Sequence, residues 1–321
     1  MSRTPALRTQ TRLPIIGAPM FLVSGPDLVA AQCGAGIIGT FPSLNARPQE
    51  QLHEWITRIE TRLAATRRAA PGTQVAPYGV NLIVHPSNAR WQGDLAICAE
   101  RQVPLLITSL HPPEAVVRAA HAYGGQVYHD VTTVRHAKRA LDAGVDGLIL
   151  VAAGAGGHAG QLNPIALVNE IRAFYDGPLA LSGCISHGKD ILAAEALGCD
   201  FAYMGTRFIA TQESLANETY RQMVLGAQAA DVLNTPYFSG VPANYLTPSI
   251  QAAGLDPHHI KRQTTPPPPN LDKSTRPTPW KDIWSAGQGV GSSQEILAVA
   301  DLVALLEAEY REARKTLLRI S

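Results

Sequence analysis

Short apolar runs recur along the chain, each followed by turn residues and then a stretch of helical periodicity. The runs are PIIGAP (14–19), GIIGT (36–40), YGVNL (78–82), PLLIT (104–108), QVYHD (126–130), DGLILV (146–151), PLALS (178–182) and DFAYM (200–204). They are almost continuously apolar rather than alternating, the pattern of parallel strands covered on both faces. Between them the period lengthens: Leu52, Trp55, Ile56, Ile59 and Leu63 share one face of a helix within 48–66. Ser24 with Pro26 marks a helix start, and Gly34, Gly144 and Gly198 stand where helix C-caps belong. The joints repeat as well. LDAGVDGLIL and EALGCDFAYM both run from a helix end through glycine and aspartate into an apolar strand, with YGGQVYHD and QCGAGIIGT as looser copies. Eight strands joined this way predict an α/β fold, a closed (β/α)8 TIM barrel in preference to an open doubly wound sheet.

After the eighth strand the rhythm changes. Residues 234–279 hold ten of the 24 prolines, including the run Pro266–Pro269, and few sustained apolar patterns. A structureless loop of that length is uncommon inside a compact domain. The segment is therefore expected to be a proline-rich lid insertion over the barrel mouth or a partner-contacting excursion. Order returns where Ser292 and Glu295 show capping-box spacing ahead of a long C-terminal helix. The expected organisation is a barrel over 12–233, a lid over 234–279, and a return segment with the terminal helix over 280–321.

Composition narrows the function. Of 321 residues 45% are apolar and 17% charged, enough to bury a large core. A net charge of +1 with no basic run offers nothing for nucleic acid or an anionic membrane surface. The N-terminus lacks an apolar signal-type region, and no stretch reaches the roughly 18 apolar residues of a membrane span. Four scattered cysteines, Cys33, Cys98, Cys184 and Cys199, lack metal-ligand spacing and fit a reducing compartment, so a cytoplasmic protein is expected. His258 and His259 are adjacent rather than one helical turn apart, and no metal site is expected.

Candidate chemistry lies at the strand ends, where a barrel of this kind binds its ligands. The sixth strand runs into GAGGHAG (154–160), whose Gly154, Gly156 and Ala159 satisfy a dinucleotide fingerprint spacing. In that fingerprint the helix starts inside the glycine run, whereas here the helix start is Asn163-Pro164. The stretch is instead a small-residue loop presenting one imidazole, His158, beside Gly157, and an imidazole can donate or accept a proton at neutral pH. The seventh and eighth strands end in Ser182-Gly183-Cys184 and Met204-Gly205-Thr206, glycine with small hydroxyl residues, where backbone N–H groups can hold phosphate. Ala18, Pro19 and Met20 close the first strand with a flat backbone and a thioether suited to an aromatic ring. Asn81 closes the third with a donor and an acceptor suited to a ring edge. Together they point to a planar, singly phosphorylated cofactor. His85, His111 and His129 fall near strand ends, and of these His129 is assigned to the pocket. Tyr237, Tyr245, Trp280 and Trp284 are candidates to line the lid.

PIIGAPM, GVNL, GAGGHAG with ALSGCI, AYMGTRFIAT and DIWSAGQGVG, in this order from residue 12 to about 310, resemble the nitronate monooxygenase family, formerly 2-nitropropane dioxygenases. Flavin enoyl reductases of fatty-acid synthesis and an NADH:quinone reductase branch share that barrel. The resemblance implies FMN as cofactor, its phosphate on the last two strand ends, and His158 as the catalytic histidine. Ala18, Pro19, Met20, Asn81, Ser182, Gly183, Gly205 and Thr206 match flavin-contacting positions of the family. Three positions depart from it. Gly154 replaces a frequent glutamate, Cys184 replaces the second glycine of Ser-Gly-Gly, and His129-Asp130 stands where some relatives carry lysine.

The first functional reading is an FMN-dependent nitronate monooxygenase, oxidising alkyl nitronates to a carbonyl compound and nitrite with O2. The alternative is an NAD(P)H-dependent flavin reductase of quinones or enoyl thioesters, or a flavin-supported acyl-thioester isomerase or desaturase. A third reading is a barrel that binds FMN or a sugar phosphate without turnover. The expected partners are a small-molecule substrate with O2 or NAD(P)H, and a homodimer stays open.

Overall fold

Parallel strands with apolar layers on both faces form the core of the structure, a computed structural model that describes residues 5–262 and 277–320. In chain order the barrel elements are β1 (Ile15–Gly17), α1 (Pro26–Gly34), β2 (Gly39–Pro42), α2 (Gln51–Ala69), β3 (Tyr78–Val84), α3 (Trp91–Glu100), β4 (Leu105–Leu110), α4 (Glu114–His121), β5 (Gln126–Val131), α5 (Val134–Asp142) and β6 (Gly147–Val151). A two-residue strand β7 (Gly157–His158) precedes α6 (Pro164–Arg172), β8 (Leu179–Ser182), α7 (Gly188–Ala196), β9 (Phe201–Met204) and α8 (Thr206–Ile209). The eight-stranded sheet runs β1-β9-β8-β6-β5-β4-β3-β2, with neighbours parallel. A parallel bridge between Ile16 and Ile38 joins its two edges, making a (β/α)8 barrel.

Side chains alternate across the wall, as a period of two requires. Ile16, Ile38, Leu105, Ile107, Tyr128, Ile149, Ala180, Phe201 and Tyr203 fill the interior, with Leu7 in the same cluster. Val80, Leu82, Leu106, Val127, Leu148, Leu150, Leu181 and Ala202 pack outward in the cluster shared with the helices. In α2, Leu52, Ile56, Ile59 and Leu63 are buried, and Trp55 meets Phe41 at 5.6 Å between ring centroids. Burying a Leu or Ile contributes about 1.5–3 kcal/mol, whereas an exposed ion pair contributes about 0–1. The apolar stripe, not the exposed Arg58–Asp27 pair at its surface, holds this helix on the barrel.

Local signals hold in part. Asn163 caps α6, its side chain accepting from the Ile165 N–H with Pro164 in the first turn. Gly144 and Gly198 adopt left-handed φ values of 85° and 96° after their helices. At the first joint the left-handed residue is Gly36, φ 86°, rather than Gly34, and that turn delays the second strand from 36–40 to Gly39–Pro42. Gly25, not Ser24, is the N-cap of α1, because the Ser24 hydroxyl is taken by the Met20 N–H at 2.9 Å.

The chain after the barrel is built rather than structureless. It contains α9 (Glu218–Gly226), the antiparallel hairpin β10 (Val232–Thr235) and β11 (Ala243–Leu246), α10 (Thr247–Ala252), α11 (Pro257–Lys261) and the terminal α12 (Val299–Ile320). β11 also pairs antiparallel with β7, matching Ala243 to His158 and Asn244 to Gly157. Leu233, Ala243, Tyr245, Ile250, Ile260 and Ile283 give this excursion its own small core. The run Pro266–Pro269 lies outside the described residues. Among the described residues, no helix is long and apolar enough to cross a membrane.

The expected Ser292–Glu295 capping box does not form, because α12 begins later, at Val299. Its cap comes from across the fold: the Glu213 carboxylate accepts from the Val299 N–H at 3.1 and 3.0 Å. Capping groups contribute roughly 0.5–2 kcal/mol, and an acidic group at a helix N-terminus also opposes the macrodipole. Glu213→Ala should lower the unfolding free energy by about 1 kcal/mol in urea denaturation, with Glu213→Gln losing less. Equal stability of all three proteins would show that the contact contributes nothing.

Candidate active site

The end of β1 is a turn clamped from below. The Asn45 side chain donates to Met20 O and Ser24 O at 3.0 and 2.9 Å and accepts from the Leu22 N–H at 2.9 Å. This leaves Ala18, Pro19 and Met20 half-buried along one rim of the barrel mouth. Gly205 of the β9 end lies against them, since a Cβ there would sit 3.4 Å from Ala18 Cβ and 3.5 Å from Met20 Sδ. Glycine leaves a shallow cradle where any other residue would stand.

Below the rim, three inward-facing polar side chains form a row across β3, β4 and β5. Asn81 Nδ2 donates to Ile107 O at 3.3 Å and Ser109 Oγ at 2.9 Å, and Ser109 Oγ donates to Asp130 Oδ2 at 2.6 Å. Asp130 Oδ1 is buried and has no partner among the described residues. Burial penalises the charged form and pushes the Asp130 carboxyl up to about 7, against the lowering effect of the Ser109 hydrogen bond.

On the opposite rim the β8 end makes a left-handed turn, with Gly183 at φ 123° and Cys184 at φ 57°. A Cβ on Gly183 would stand 2.7 Å from Ala153 O, so the loop after β6 can approach this closely only past glycine. The stretch 286–289 then lies over both loops. Gly287 N–H donates to Thr206 Oγ1 and Gln288 N–H to Gly154 O, each at 2.9 Å, and a Cβ on Gly287 would meet Gly154 O at 2.6 Å. Two departures from the family pattern prove to be one. A Cβ on Gly154 would come within 2.3 Å of Cys184 Sγ, so the thiol occupies the volume that a side chain at 154 would need.

His158 is held by backbone pairing rather than by its own loop. Besides the β7–β11 ladder, Gly157 N–H donates to Ser285 Oγ at 2.7 Å, Ser285 Oγ donates to Asn244 O, and Asn244 Nδ2 donates to Ala155 O at 2.6 Å. The imidazole is open to solvent on one side and meets Trp280 edge-on at 5.0 Å. Its Nε2 lies 2.9 Å from Ser239 Oγ, and Ser239 itself donates to Val241 O at 3.0 Å. A backbone carbonyl can only accept, so the Ser239 hydrogen is committed and His158 must donate from Nε2. Nδ1 is then the nitrogen with a lone pair. Desolvation holds the imidazole below its ordinary pKa, so it is neutral at pH 7 and Nδ1 can accept a proton.

The structure brings Ala18, Pro19, Met20, Gly157, His158, Ser182, Gly183, Cys184, Gly205 and Thr206 to or just past the C-terminal ends of the strands, whereas Asn81 does not close the third strand but faces inward from the middle of β3, which runs on to Val84. Met204 joins them through its backbone alone, its carbonyl accepting from the Ala18 N–H at 2.9 Å while its side chain packs in the outer layer. His129 is not among them. Its neighbours Tyr128 and Asp130 take the inward positions, so its ring points to the helices and contacts Thr108 Oγ1 at 2.8 Å. Burial lowers its pKa to about 4. Tyr245 is fully buried in the excursion core, Tyr237 packs edge-on against Phe238, and Trp284 stacks on Tyr220 at 4.9 Å. Trp280 alone of the four aromatics reaches His158. Asn45, Ser109, Ser239 and Ser285 escape sequence reasoning, since a lone polar residue carries no spacing signal.

A glycine-lined rim, a polar floor and His158 thus converge at the mouth of a (β/α)8 barrel, the place where enzymes of this fold carry their sites. A family model described as nitronate monooxygenase matches residues 5–309, and the chain belongs to that family. It is 26% identical to the nitronate monooxygenase of Paraburkholderia phytofirmans over 94% of this chain and 93% of that protein. Identity to the Pseudomonas aeruginosa nitronate monooxygenase is 30%, over 73% of this chain and 76% of that one. An octahydro-1H-indene-4-carboxyl-CoA dehydrogenase of Rhodococcus jostii is 27% identical over 74% of this chain, which spans 63% of that relative's length. FabK from Thermotoga maritima superposes with a TM-score of 0.79 at 25% identity, covering 100% of this chain and 99% of its own. Nitroalkane oxidase from Streptomyces ansochromogenes does so with a TM-score of 0.76 at 26% identity, covering 98% and 100%.

Two outcomes test this geometry. Asp130 holds its proton more tightly folded than unfolded, so its stabilising contribution is full below about pH 4 and is lost as pH rises through about 7. Melting temperatures of Asp130→Asn relative to wild type should therefore rise across that window, and parallel curves would show that Asp130 does not titrate there. Gly154→Ala should destabilise the protein by at least the roughly 1–2 kcal/mol of a left-handed non-glycine residue. Adding Cys184→Gly should recover the part due to the thiol. Strict additivity in denaturant unfolding would show that the two positions do not share the space.

Proposed function

We propose that this protein is an FMN-dependent nitronate monooxygenase, oxidising alkyl nitronates to a carbonyl compound and nitrite with O2. The observation that carries the reading is His158, held by the β7–β11 pairing against Trp280 beside a mouth whose opposite walls are a flat backbone turn and a pair of glycine strand ends. FMN fits those residues: its phosphate would be held at Ser182-Gly183-Cys184 and Gly205-Thr206, and its ring would lie on Ala18-Pro19-Met20 with an edge on Asn81. When bound, FMN supplies the electron-accepting and O2-reacting chemistry. His158 would accept a carbon-bound proton from a neutral nitroalkane at Nδ1, and the imidazolium so formed would donate that Nδ1–H to the nitro oxygens of the resulting nitronate. The β10–β11 hairpin and the 277–289 stretch would act as the lid. Trp280, which also meets Phe21 edge-on at 6.5 Å, would form its inner wall and exclude water.

A second reading, flavin-supported chemistry on an acyl thioester, is supported by the similarity to the Rhodococcus jostii CoA-ester dehydrogenase. Anaerobic mixing separates the two. Bleaching of the flavin band by propyl-2-nitronate, with no response to NADH or NADPH, is the expected outcome. Rapid bleaching by a nicotinamide with an inert nitronate would replace the first reading by a reductase, with quinones and enoyl thioesters as acceptors to try. His158→Ala should keep its FMN and lose roughly 10²–10⁴-fold in turnover. Unchanged turnover would reduce the histidine to a wall of the pocket. Gly183→Asp and Gly205→Asp should purify colourless, because each adds a side chain and a negative charge where the phosphate would lie. Fully loaded variants would remove the phosphate assignment.

A further inference from the structure

The Asn81–Ser109–Asp130 row has a direction, and its two ends, the Ile107 carbonyl and the Asp130 carboxyl, agree on it. Ile107 O can only accept, so the amide group of Asn81 facing it at 3.3 Å is the nitrogen. The second hydrogen of that nitrogen goes to Ser109 Oγ at 2.9 Å, which obliges Ser109 to send its own hydrogen to Asp130 Oδ2 at 2.6 Å. Both Asn81 hydrogens are thereby used. Among the described residues no donor is paired with Asn81 Oδ1, and that oxygen is not among the buried atoms lacking a partner. That oxygen therefore retains some accessible surface within the buried Asn81 side chain and can accept a further hydrogen bond.

We infer that Asp130 is a positioning residue: acting through Ser109, whose contact with the Asn81 nitrogen is shorter than that of the Ile107 carbonyl, it holds the Asn81 amide so that Oδ1 is left as an acceptor, which meets the single N–H, at N3, of an oxidised flavin ring. The inference rests on the FMN reading above and adds which polarity the chain presents and which residue imposes it. Among the described residues no cation is paired with Asp130, and its second oxygen is an orphan. An aspartate placed here for charge pairing would have a basic partner. One placed to end a hydrogen-bond row needs a single accepting oxygen, and this carboxyl supplies it with or without a proton on Oδ1.

The test reads the flavin rather than turnover. FMN bound to wild type, Asp130→Ala, Ser109→Ala and Asp130→Asn is titrated with alkali, and N3 ionisation is followed by the flavin's visible spectrum. An acceptor on N3–H raises that ionisation, and one lost hydrogen bond of ordinary strength corresponds to about tenfold in the equilibrium. N3 should ionise about one pH unit lower in Asp130→Ala and Ser109→Ala, with FMN binding about tenfold weaker. Asp130→Asn, whose amide oxygen still accepts from Ser109, should behave as wild type. If Asp130→Ala fails to fold, Ser109→Ala carries the same comparison. Unchanged N3 ionisation in the alanine variants overturns the inference while leaving the FMN reading intact. An Asp130→Asn protein that behaves like Asp130→Ala also overturns it, because charge rather than hydrogen-bond direction would then be responsible. A wild-type protein that binds no FMN overturns both.

Discussion

The antiparallel pairing of Gly157-His158 with Ala243-Asn244 is the interaction on which the rest of the site depends. A seven-residue stretch rich in glycine, residues 154–160, has little conformational preference of its own, and ordering its backbone costs roughly 1–2 kcal/mol per residue. β11 removes that freedom by supplying ladder partners, and Ser285 and Asn244 close the remaining backbone groups. The imidazole is therefore as well placed as the small sheet beneath it. The same pairing joins the excursion to the barrel, so the hairpin and His158 are fixed relative to each other.

The β6, β8 and β9 ends form a second unit, packed too tightly for independent change. Gly154, Gly183 and Gly287 each stand where a Cβ would strike a neighbouring backbone oxygen or the Cys184 thiol. Cys184 holds a left-handed φ of 57°, unusual for a residue other than glycine. A larger residue in one place and glycine in the other are two halves of a single packing solution. A side chain at position 154 would need room that this chain has given to the Cys184 sulfur.

The floor shows the reverse economy. A buried carboxyl without a cation is costly to ionise, and the row above it gains direction in exchange. A polar row ending in one accepting oxygen specifies an amide orientation that packing alone would leave free, since the two ends of an asparagine amide have nearly the same shape. His129, one residue earlier, shows how local this is. Alternation sends it to the helical layer, where burial keeps it neutral against Thr108.

The barrel was legible in the chain because its cause is local and repeated. Continuous apolar runs have no stable arrangement other than strands covered on both faces, and glycine-aspartate joints recur wherever a helix must return to a strand. The strand ends were legible for the same reason, and so was the position of the small-residue loop that carries His158. Side-chain direction at β5 was not, because a strand shifted by one residue would exchange His129 for Asp130, and only the register with β4 decides between them. Nor were Tyr245 and Trp284 distinguishable from Trp280, since an aromatic residue in an irregular segment has no period to mark its face. The cap of α12 came from Glu213, 86 residues away in sequence, and the clamp on the first turn from Asn45. The amino-acid sequence by itself determined which residues form the elements and which small and polar residues stand where the strands end. Only the tertiary structure decided which polar groups face one another, because hydrogen-bond partners distant in the chain are chosen by the geometry of packing.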